Sequence, residues 1–213
     1  MSESRPSLPH DWFSRGIPSN VRIGDDVYVD SSYSFDGVVS QECPAIQLGD
    51  ATGAYDRAGF LVGPHGSVVV GKYTVLNACY LICESRITIG DHCLLAWGAV
   101  ITDIWPGAVS LQARRGVLQR AFVDGNRWLD GGDAPRPVTL ADNVWIGFDA
   151  VVMPGTTIGR GAVVSSRSVV SGDIPPYAVV VGNPGRVIRM LEPDDTDDAR
   201  RRAFGEYLRP RDG

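Results

Sequence analysis

Three histidines and one aspartate are the residues of this chain that could act as a general base. His10 lies near the N-terminus, His65 in the segment GPHGS, and His92 in IGDHCL. Imidazole suits proton abstraction because its unperturbed pKa of about 6.5 is close to neutral pH. A carboxylate, with an ordinary pKa of about 3.9, is a weak base unless it is desolvated. The candidate bases are therefore His92 and Asp103, whereas His10 and His65 are interpreted as surface residues.

The elements that must position these side chains are indicated by a six-residue repeat. An aliphatic residue returns at every sixth position at Leu140, Ile146, Val152, Ile158, Val164 and Val170. The same step occurs earlier, at Val70, Leu76 and Ile82 and again at Ile89, Leu95 and Ile101. A helix would need spacings of three and four. A step of six fits a short strand plus a corner on each side of a prism, with coils stacked about 4.8 Å apart. The repeat therefore predicts an all-β fold, a parallel β-helix.

The composition narrows the classes of protein that fit this chain. Its 213 residues carry a net charge of −5, so nothing predicts a nucleic-acid-binding face. No apolar run approaches the roughly 18 residues of a membrane helix, and the N-terminus does not resemble a signal peptide. We therefore expect a cytoplasmic protein that binds neither nucleic acid nor membrane. The four cysteines form no CxxC pair, which predicts packing residues and no metal site.

One segment carries a family resemblance. NVWIGFDAVVMPGTTIGRGAVVSSRSVVSGDIPPYAVVVGNPGRVIRML, residues 143 to 191, resembles the C-terminal signature of the hexapeptide-repeat acyltransferases. Maltose, galactoside and xenobiotic acetyltransferases and sugar N-acetyltransferases belong to this family. The resemblance covers about residues 65–190, and its ending, IPPYAVVVGNPGRVIR, is its most specific part. It implies a left-handed parallel β-helix, a homotrimer with sites between neighbouring subunits, acetyl-CoA as cosubstrate and no bound cofactor.

The breaks in the repeat divide the chain. Residues 1–20 are predicted to form a loosely ordered N-terminal arm, 21–190 the β-helix domain, and 191–213 a tail with a short α-helix. The distance from Ile101 to Leu140 is not a multiple of six, which indicates a long loop excursion at about 102–138. Within it, AVSLQARRGVLQRAFV could hold a short helix. By resemblance, such a loop walls the acceptor pocket of the adjacent subunit; alternatively, it only packs the trimer.

The resemblance also implies positions for the cosubstrate. Gly147, Ser165 and Ser166 occupy places where the family presents small residues to the pantetheine arm. Arg186 and Arg189 could meet the nucleotide phosphates, although ordinary solvated arginines are the alternative. Gly172 stands where the family often has a lysine, so part of the expected phosphate contact is missing.

Acceptor contacts are implied on the coil before the excursion. Asn77 and Glu84 match positions that line the acceptor pocket in the galactoside and maltose enzymes, the latter within one residue. Asn77 could instead simply stack in a corner of the coil. Trp97 and Trp105 could stack on a sugar ring, although a tryptophan near a subunit boundary is more often a packing residue.

The histidine that the family uses as its base is missing. In the O-acetyltransferases it lies directly after the strand equivalent to AVIT, often as His-Pro, whereas this chain has Trp105-Pro106. A sugar hydroxyl reacts poorly without such a base, but an amine with a pKa near 7.7–8 is already partly neutral at pH 7. The sequence therefore favours acetyl transfer to the amine of a small sugar or sugar nucleotide.

Three alternatives remain open. One is O-acetyl transfer with an unusual base such as His92, and another is a catalytically inactive trimeric scaffold. A γ-class carbonic anhydrase shares the fold but needs three zinc-binding imidazoles, and only His65 and His92 fall in the coil region.

Overall fold

The fold is a three-sided parallel β-helix, seen here in a computed structural model that describes residues 8, 10–105, 110–124 and 134–192. From residue 46 to residue 181, successive strands visit sheets A, B and C in turn, and each pairs in parallel with the equivalent strand of the next coil. This cyclic order is the arrangement that the six-residue step predicts.

Sheet A has seven strands: β1 (Val21–Ile23), β3 (Ile46–Leu48), β6 (Ser67–Val70), β9 (Arg86–Ile89), β12 (Val138–Leu140), β15 (Thr157–Ile158) and β18 (Asp173–Ile174). Sheet B has eight: β2 (Tyr28–Val29), β4 (Gly53–Tyr55), β7 (Val75–Asn77), β10 (Leu94–Leu95), β13 (Trp145–Ile146), β16 (Val163–Val164), β19 (Ala178–Val181) and β20 (Arg186–Met190). Sheet C has five: β5 (Gly59–Val62), β8 (Tyr80–Cys83), β11 (Val100–Thr102), β14 (Val151–Val152) and β17 (Val169–Val170). A 3-10 helix, η1 (Ser32–Phe35), follows β2, and β20 is antiparallel to β19.

The core is a column of aliphatic side chains inside the prism. All six residues of the series from Leu140 to Val170 are buried, as are Ile89, Leu95 and Ile101. Ile82 is the exception, because it is only half-buried and pairs with Leu61 and Thr102 on the outside of sheet C. Its neighbour Leu81 occupies the inward position and stacks between Phe60 and Ile101.

The three edges of the prism are named here by the sheets that they join. The A–B corner includes Lys72, Asp91 and Asp142; the B–C corner includes Trp97, Phe148 and Ser166; the C–A corner includes Glu84 and Asp103. At the A–B corner, carboxylates of one coil accept backbone N–H groups of the coil before it, as in Lys72 N to Asp91 Oδ1 (2.8 Å) and Asp91 N to Asp142 Oδ1 (3.0 Å). These bonds tie neighbouring coils together where the strands end.

The outward faces of the sheets differ in polarity. On sheet A the outward column is mostly polar: Arg22, Gln47, Val69, Thr88, Thr139, Thr157 and Asp173. On sheet B it is apolar, and it includes the exposed side chains of Tyr28, Leu94 and Trp145. On sheet C it runs through Tyr80, Val100, Val151 and Val169. Two adjacent faces are therefore apolar and one is polar.

The N-terminal arm is packed on the first coils from residue 11, in contrast to the loose arm expected from the sequence. The Asp11 carboxylate accepts hydrogen bonds from the Ser31 hydroxyl (2.7 Å) and the Ser32 hydroxyl (2.6 Å). Desolvation alone would raise the pKa of Asp11, but these hydrogen bonds outweigh it and hold the pKa well below its usual range. Ile17 then enters the core, with 2% of its surface exposed. The arm is thus fixed by the buried side chain of Ile17 and by the hydrogen bonds to the Asp11 carboxylate.

Residues 103–137 connect β11 to β12, and the helix α1 (Leu111–Asp124) lies within them. Its side chains at Leu111, Leu118 and Phe122 are exposed, whereas Val117 is buried. The predicted C-terminal helix falls in residues 193–213, outside the described residues. Within the described ranges, no helix has the length and apolar character to span a membrane.

Candidate functional site

Apart from Arg186 and Arg189, the residues singled out from the sequence fall on three different corners of one chain. Asn77, Gly147, Ser165 and Ser166 lie along the B–C corner, where β7, β13 and β16 end. Glu84, Asp103 and Trp105 lie at the C–A corner, and His92 lies at the A–B corner. The structure therefore groups most of the predicted cosubstrate contacts on one edge and separates them from both candidate bases.

At the B–C corner, Gly147 is required by the close approach of the next coil. A Cβ at this position would lie 2.6 Å from the backbone nitrogen of Ser166 and 2.9 Å from the carbonyl carbon of Ser165. Both contacts are shorter than real Cβ contacts, and both partners are backbone atoms that cannot rotate away. The packing of coils thus explains Gly147 independently of any ligand.

We expect Gly147→Ala to lower the free energy of unfolding by about 1–3 kcal/mol, because the new methyl forces two coils apart. Denaturant unfolding measures this loss. Gly116→Ala in α1 is the matched control, since outside the backbone of its own helix its Cβ would come no closer than 3.5 Å to a heavy atom, the end of the Arg120 side chain. That change should be neutral, or stabilising by up to about 1 kcal/mol, since alanine favours helix over glycine. A Gly147→Ala protein as stable as wild type, but with a raised KM for acetyl-CoA, would instead assign this glycine to ligand approach.

An aromatic stack at the same corner was not recognised as a unit in the sequence. Trp97 and Phe148 stack with ring centroids 5.7 Å apart and an interplanar angle of 10°, and both rings are about half exposed. The Trp97 indole N–H donates to Asp56 Oδ2 at 2.7 Å, which fixes the ring along the corner. The sequence contained a signal for this stack, because Trp97 and Phe148 each follow an inward aliphatic residue, Leu95 or Ile146, by two positions. The stack provides an exposed apolar platform beside Ser165 and Ser166.

At the C–A corner, Asp103 is fully buried, with 0% of its surface exposed. Its carboxylate accepts the backbone N–H groups of Glu84 (2.7 Å), Ser85 (2.7 Å) and Arg86 (2.6 Å). A general base must reach its substrate directly or through one water, within about 2.6–3.2 Å. The Asp103 carboxylate has no contact with solvent and accepts three backbone hydrogen bonds. This geometry favours a structural role for Asp103 over the predicted role as a base.

Three other residues share this corner. Glu84 is half-buried, and Trp105 is 50% exposed at the exit of the chain toward α1. His65 lies one coil below, because Gly63 N donates to Cys83 O (2.8 Å) and Ser67 N donates to Ser85 O (3.0 Å) on either side of it. The sequence placed His65 at a corner but could not show that Glu84 lies on the next coil. The C–A corner thus combines a carboxylate, an imidazole and an indole.

His92 lies on a different edge. Its backbone is in the left-handed region (φ 57°), its N–H donates to Lys72 O at 2.8 Å, and its ring stacks on Tyr73 at 5.2 Å. Within one chain it is therefore not beside Glu84 or Asn77. Arg186 and Arg189 lie on β20, the last strand of sheet B, and both are exposed.

The cysteines are packing residues in three of four cases. Cys79, Cys83 and Cys93 are buried, and desolvation raises the pKa of the Cys79 thiol to about 12 and that of Cys93 to about 11. Burial also raises the pKa of Cys83, beside the Asp103 carboxylate. Among the described residues, no group of three His, Cys, Asp or Glu side chains is arranged to hold a metal ion.

Comparison with known proteins identifies the family. Residues 137–172 match the family described as bacterial transferase hexapeptide (six repeats). The chain is 44% identical over 156 residues to a chloramphenicol acetyltransferase of Agrobacterium fabrum, across 61% of this chain and 70% of that protein. The chain belongs to the hexapeptide-repeat acetyltransferases. A putative acetyltransferase of Saccharomyces cerevisiae, YJL218W, is 41% identical over 53% of this hexapeptide-repeat chain and 60% of its own length.

Solved structures of acyltransferases share the fold. A mutant of AntD, an N-acyltransferase from Bacillus cereus, in complex with dTDP and coenzyme A, has a TM-score of 0.60 at 16% identity, over 87% of this chain and 89% of that one. The hexapeptide-repeat acetyltransferase VCA0836 of Vibrio cholerae has a TM-score of 0.51 at 24% identity, over 81% and 74%. At these identities the likeness concerns the β-helix alone.

Proposed function

We propose that this protein is an acetyl-CoA-dependent acetyltransferase that acts as a homotrimer on the amine of a small sugar or sugar nucleotide. The observation that carries the reaction class is its 44% identity, over 70% of that protein, to an acetyltransferase. The coil is taken to wind left-handed, as the family resemblance implies. Cosubstrate binding is assigned to the B–C corner, where the half-buried Ser165 and the exposed Ser166 lie beside the exposed Trp97–Phe148 stack.

The choice of an amine acceptor follows from the groups available to remove a proton. Trp105 lies at the start of the excursion. The nearby Asp103 carboxylate is enclosed by three backbone amides. An amine with a pKa near 8 has a neutral fraction at pH 7 that can attack the thioester carbonyl, displace CoA thiolate as the C–S bond breaks, and pass its proton to that thiolate or to water. A hydroxyl is a much weaker nucleophile and needs a base to remove its proton during the attack. Glu84 of one subunit and Asn77 of its neighbour are the proposed acceptor contacts, with Trp105 as a stacking surface.

The second candidate is transfer to a hydroxyl. Because one relative is named chloramphenicol acetyltransferase, chloramphenicol is included among the acceptors to be tested. It requires an imidazole, supplied by His92 or by His65. The experiment is a CoA-thiol release assay with an amino sugar, the matching plain sugar and chloramphenicol, for wild type, His92→Ala and His65→Ala. We expect turnover with the amine and less than a few-fold loss in either variant.

Other outcomes of this assay have definite meanings. A loss of more than about 10²-fold in His92→Ala or His65→Ala, with turnover of a hydroxyl acceptor, would replace the proposal by base-assisted O-transfer. A protein that releases no CoA and shows no thermal shift with acetyl-CoA would be the scaffold instead. Either result contradicts the amine acceptor directly.

The trimer is supported by the polarity of the faces. A closed ring of identical copies with one type of contact needs two different complementary patches on each copy. Sheet B provides one exposed apolar patch, at Leu94 and Trp145, and the helix α1 provides a second, at Leu118 and Phe122. Exposed contiguous apolar surface of this kind marks an interaction site. A contact between these two patches would bring the C–A corner of one subunit toward the B–C corner of its neighbour and leave the polar face of sheet A toward solvent.

A further inference from the structure

The buried carboxylate of Asp103 binds three successive backbone N–H groups of the preceding coil. Its Oδ1 accepts from Glu84 N, and its Oδ2 accepts from both Ser85 N and Arg86 N. Three successive backbone N–H groups that converge on one anion form a nest, and charge makes such hydrogen bonds stronger than neutral ones. The N–H groups of the corner that bears Glu84 are therefore held by Asp103, while the carbonyl groups of Cys83 and Ser85 bond to the coil below.

The backbone of Asp103 holds the other side of the excursion. Its carbonyl oxygen accepts from Arg136 N at 2.7 Å, where the chain returns from α1, and Arg136 O in turn accepts from Gly155 N at 2.9 Å. Asp103 thus links three parts of the chain: the corner at residues 84–86, the start of the excursion and the end of the excursion. Any displacement of Asp103 moves Glu84 relative to the excursion.

We infer that Asp103 is a positioning residue for acceptor binding, acting through Glu84. The inference rests on the proposed function, in which Glu84 contacts the acceptor. Asp103 itself does not contact the acceptor, because it has no exposed surface and its oxygens are occupied by amides. In Asp103→Asn, one carboxylate oxygen is replaced by an NH2 group that cannot accept from an amide, so the corner is released. A misplacement of about 1 Å at a contact residue can cost about 10²-fold in turnover.

The test is a double-mutant cycle with Asp103→Asn, Glu84→Gln and the combination, in which acceptor and acetyl-CoA are varied separately. We expect each single change to lower kcat/KM for the acceptor by about 10–100-fold and to leave KM for acetyl-CoA within about 2-fold. The double variant should be no worse than Glu84→Gln, because Asp103 acts only through that side chain. The pH profile of kcat/KM should have the same acidic and alkaline limbs in Asp103→Asn as in the wild type. Asp142→Asn, which removes a comparable carboxylate-to-amide bond at the A–B corner, should behave as wild type.

Additive losses, a raised KM for acetyl-CoA, or a pH limb that disappears in Asp103→Asn would each overturn the inference, the last by making Asp103 the base. Glu84→Gln and Glu84→Ala decide the matter even where Asp103→Asn does not fold. If neither Glu84 variant changes kcat/KM for the acceptor, Asp103 has nothing to position. A wild-type protein that transfers no acetyl group is a different result, because it removes the proposed function itself.

Discussion

Replacing Asp103 by alanine is expected to lower the free energy of unfolding by about 3–5 kcal/mol, more than any other single surface or corner change described above. The substitution leaves the backbone N–H groups of Glu84, Ser85 and Arg86 without their acceptor. Each unsatisfied buried donor costs about 1–3 kcal/mol, and a water that enters the vacated space recovers only part of this. Urea or guanidinium unfolding, monitored by far-UV circular dichroism, measures the loss.

Asp142→Ala is the matched control for that measurement. Asp142 also accepts a backbone N–H of the previous coil, from Asp91 at 3.0 Å, but it holds one amide and a third of its side chain is exposed. Its loss should cost about 0.5–1.5 kcal/mol. If Asp103→Ala is no more destabilising than Asp142→Ala, the three short hydrogen bonds do not stabilise the corner, and a role for Asp103 in chemistry would again be open.

The second large effect is expected at the apolar face of sheet B. Leu94→Glu should convert the proposed trimer to monomers and abolish acetyl transfer, because the site would lie between subunits. Leu94 is 38% exposed in one chain, on the outward column between Val75 and Trp145. Burying an unpaired carboxylate at this contact costs about 3–5 kcal/mol in each interface, whereas an isolated chain keeps it in water. Light scattering coupled to size exclusion gives the mass, and CoA-thiol release gives the activity.

Thr88→Glu controls for the added charge. Thr88 lies on the same coil as Leu94, but on the polar outward column of sheet A, so the trimer and the activity should be unchanged. A Leu94→Glu protein that keeps the mass and activity of wild type would show that sheet B is not a subunit contact. Dissociation by Thr88→Glu would place the contact on sheet A instead.

The sequence predicted the coil well because its signal is local and periodic. Every aliphatic residue from Leu140 to Val170 at the six-residue step is buried. Ile82 was assigned to the wrong face because the corner before it is short. Only Ala78 and Cys79 separate β7 from β8, whereas residues 96–99 separate β10 from β11. Three apolar residues in a row, Leu81 to Cys83, then hide the change of register.

The site was harder to predict, for a physical reason. The partners of Asp103 are backbone N–H groups 17 to 19 residues earlier in the chain, and backbone groups leave no mark in the sequence. From the sequence, an aspartate after a strand is therefore equally consistent with a general base and with a residue that accepts backbone hydrogen bonds. In the same way, the order of residues could not show that His92 and Glu84 lie on different edges of the prism. Membership of the family was predictable because the ending of the repeat is specific.

The bond between Asp103 O and Arg136 N has a consequence for how this scaffold can be altered. The two ends of the excursion meet there, while β11 and β12 keep their places in sheets C and A on either side. Everything between these two residues is thus a cassette inserted at one vertex of an otherwise continuous spiral. A segment of another length or composition can be grafted at this junction while β11 and β12 keep their pairing, so the stack does not have to be rebuilt.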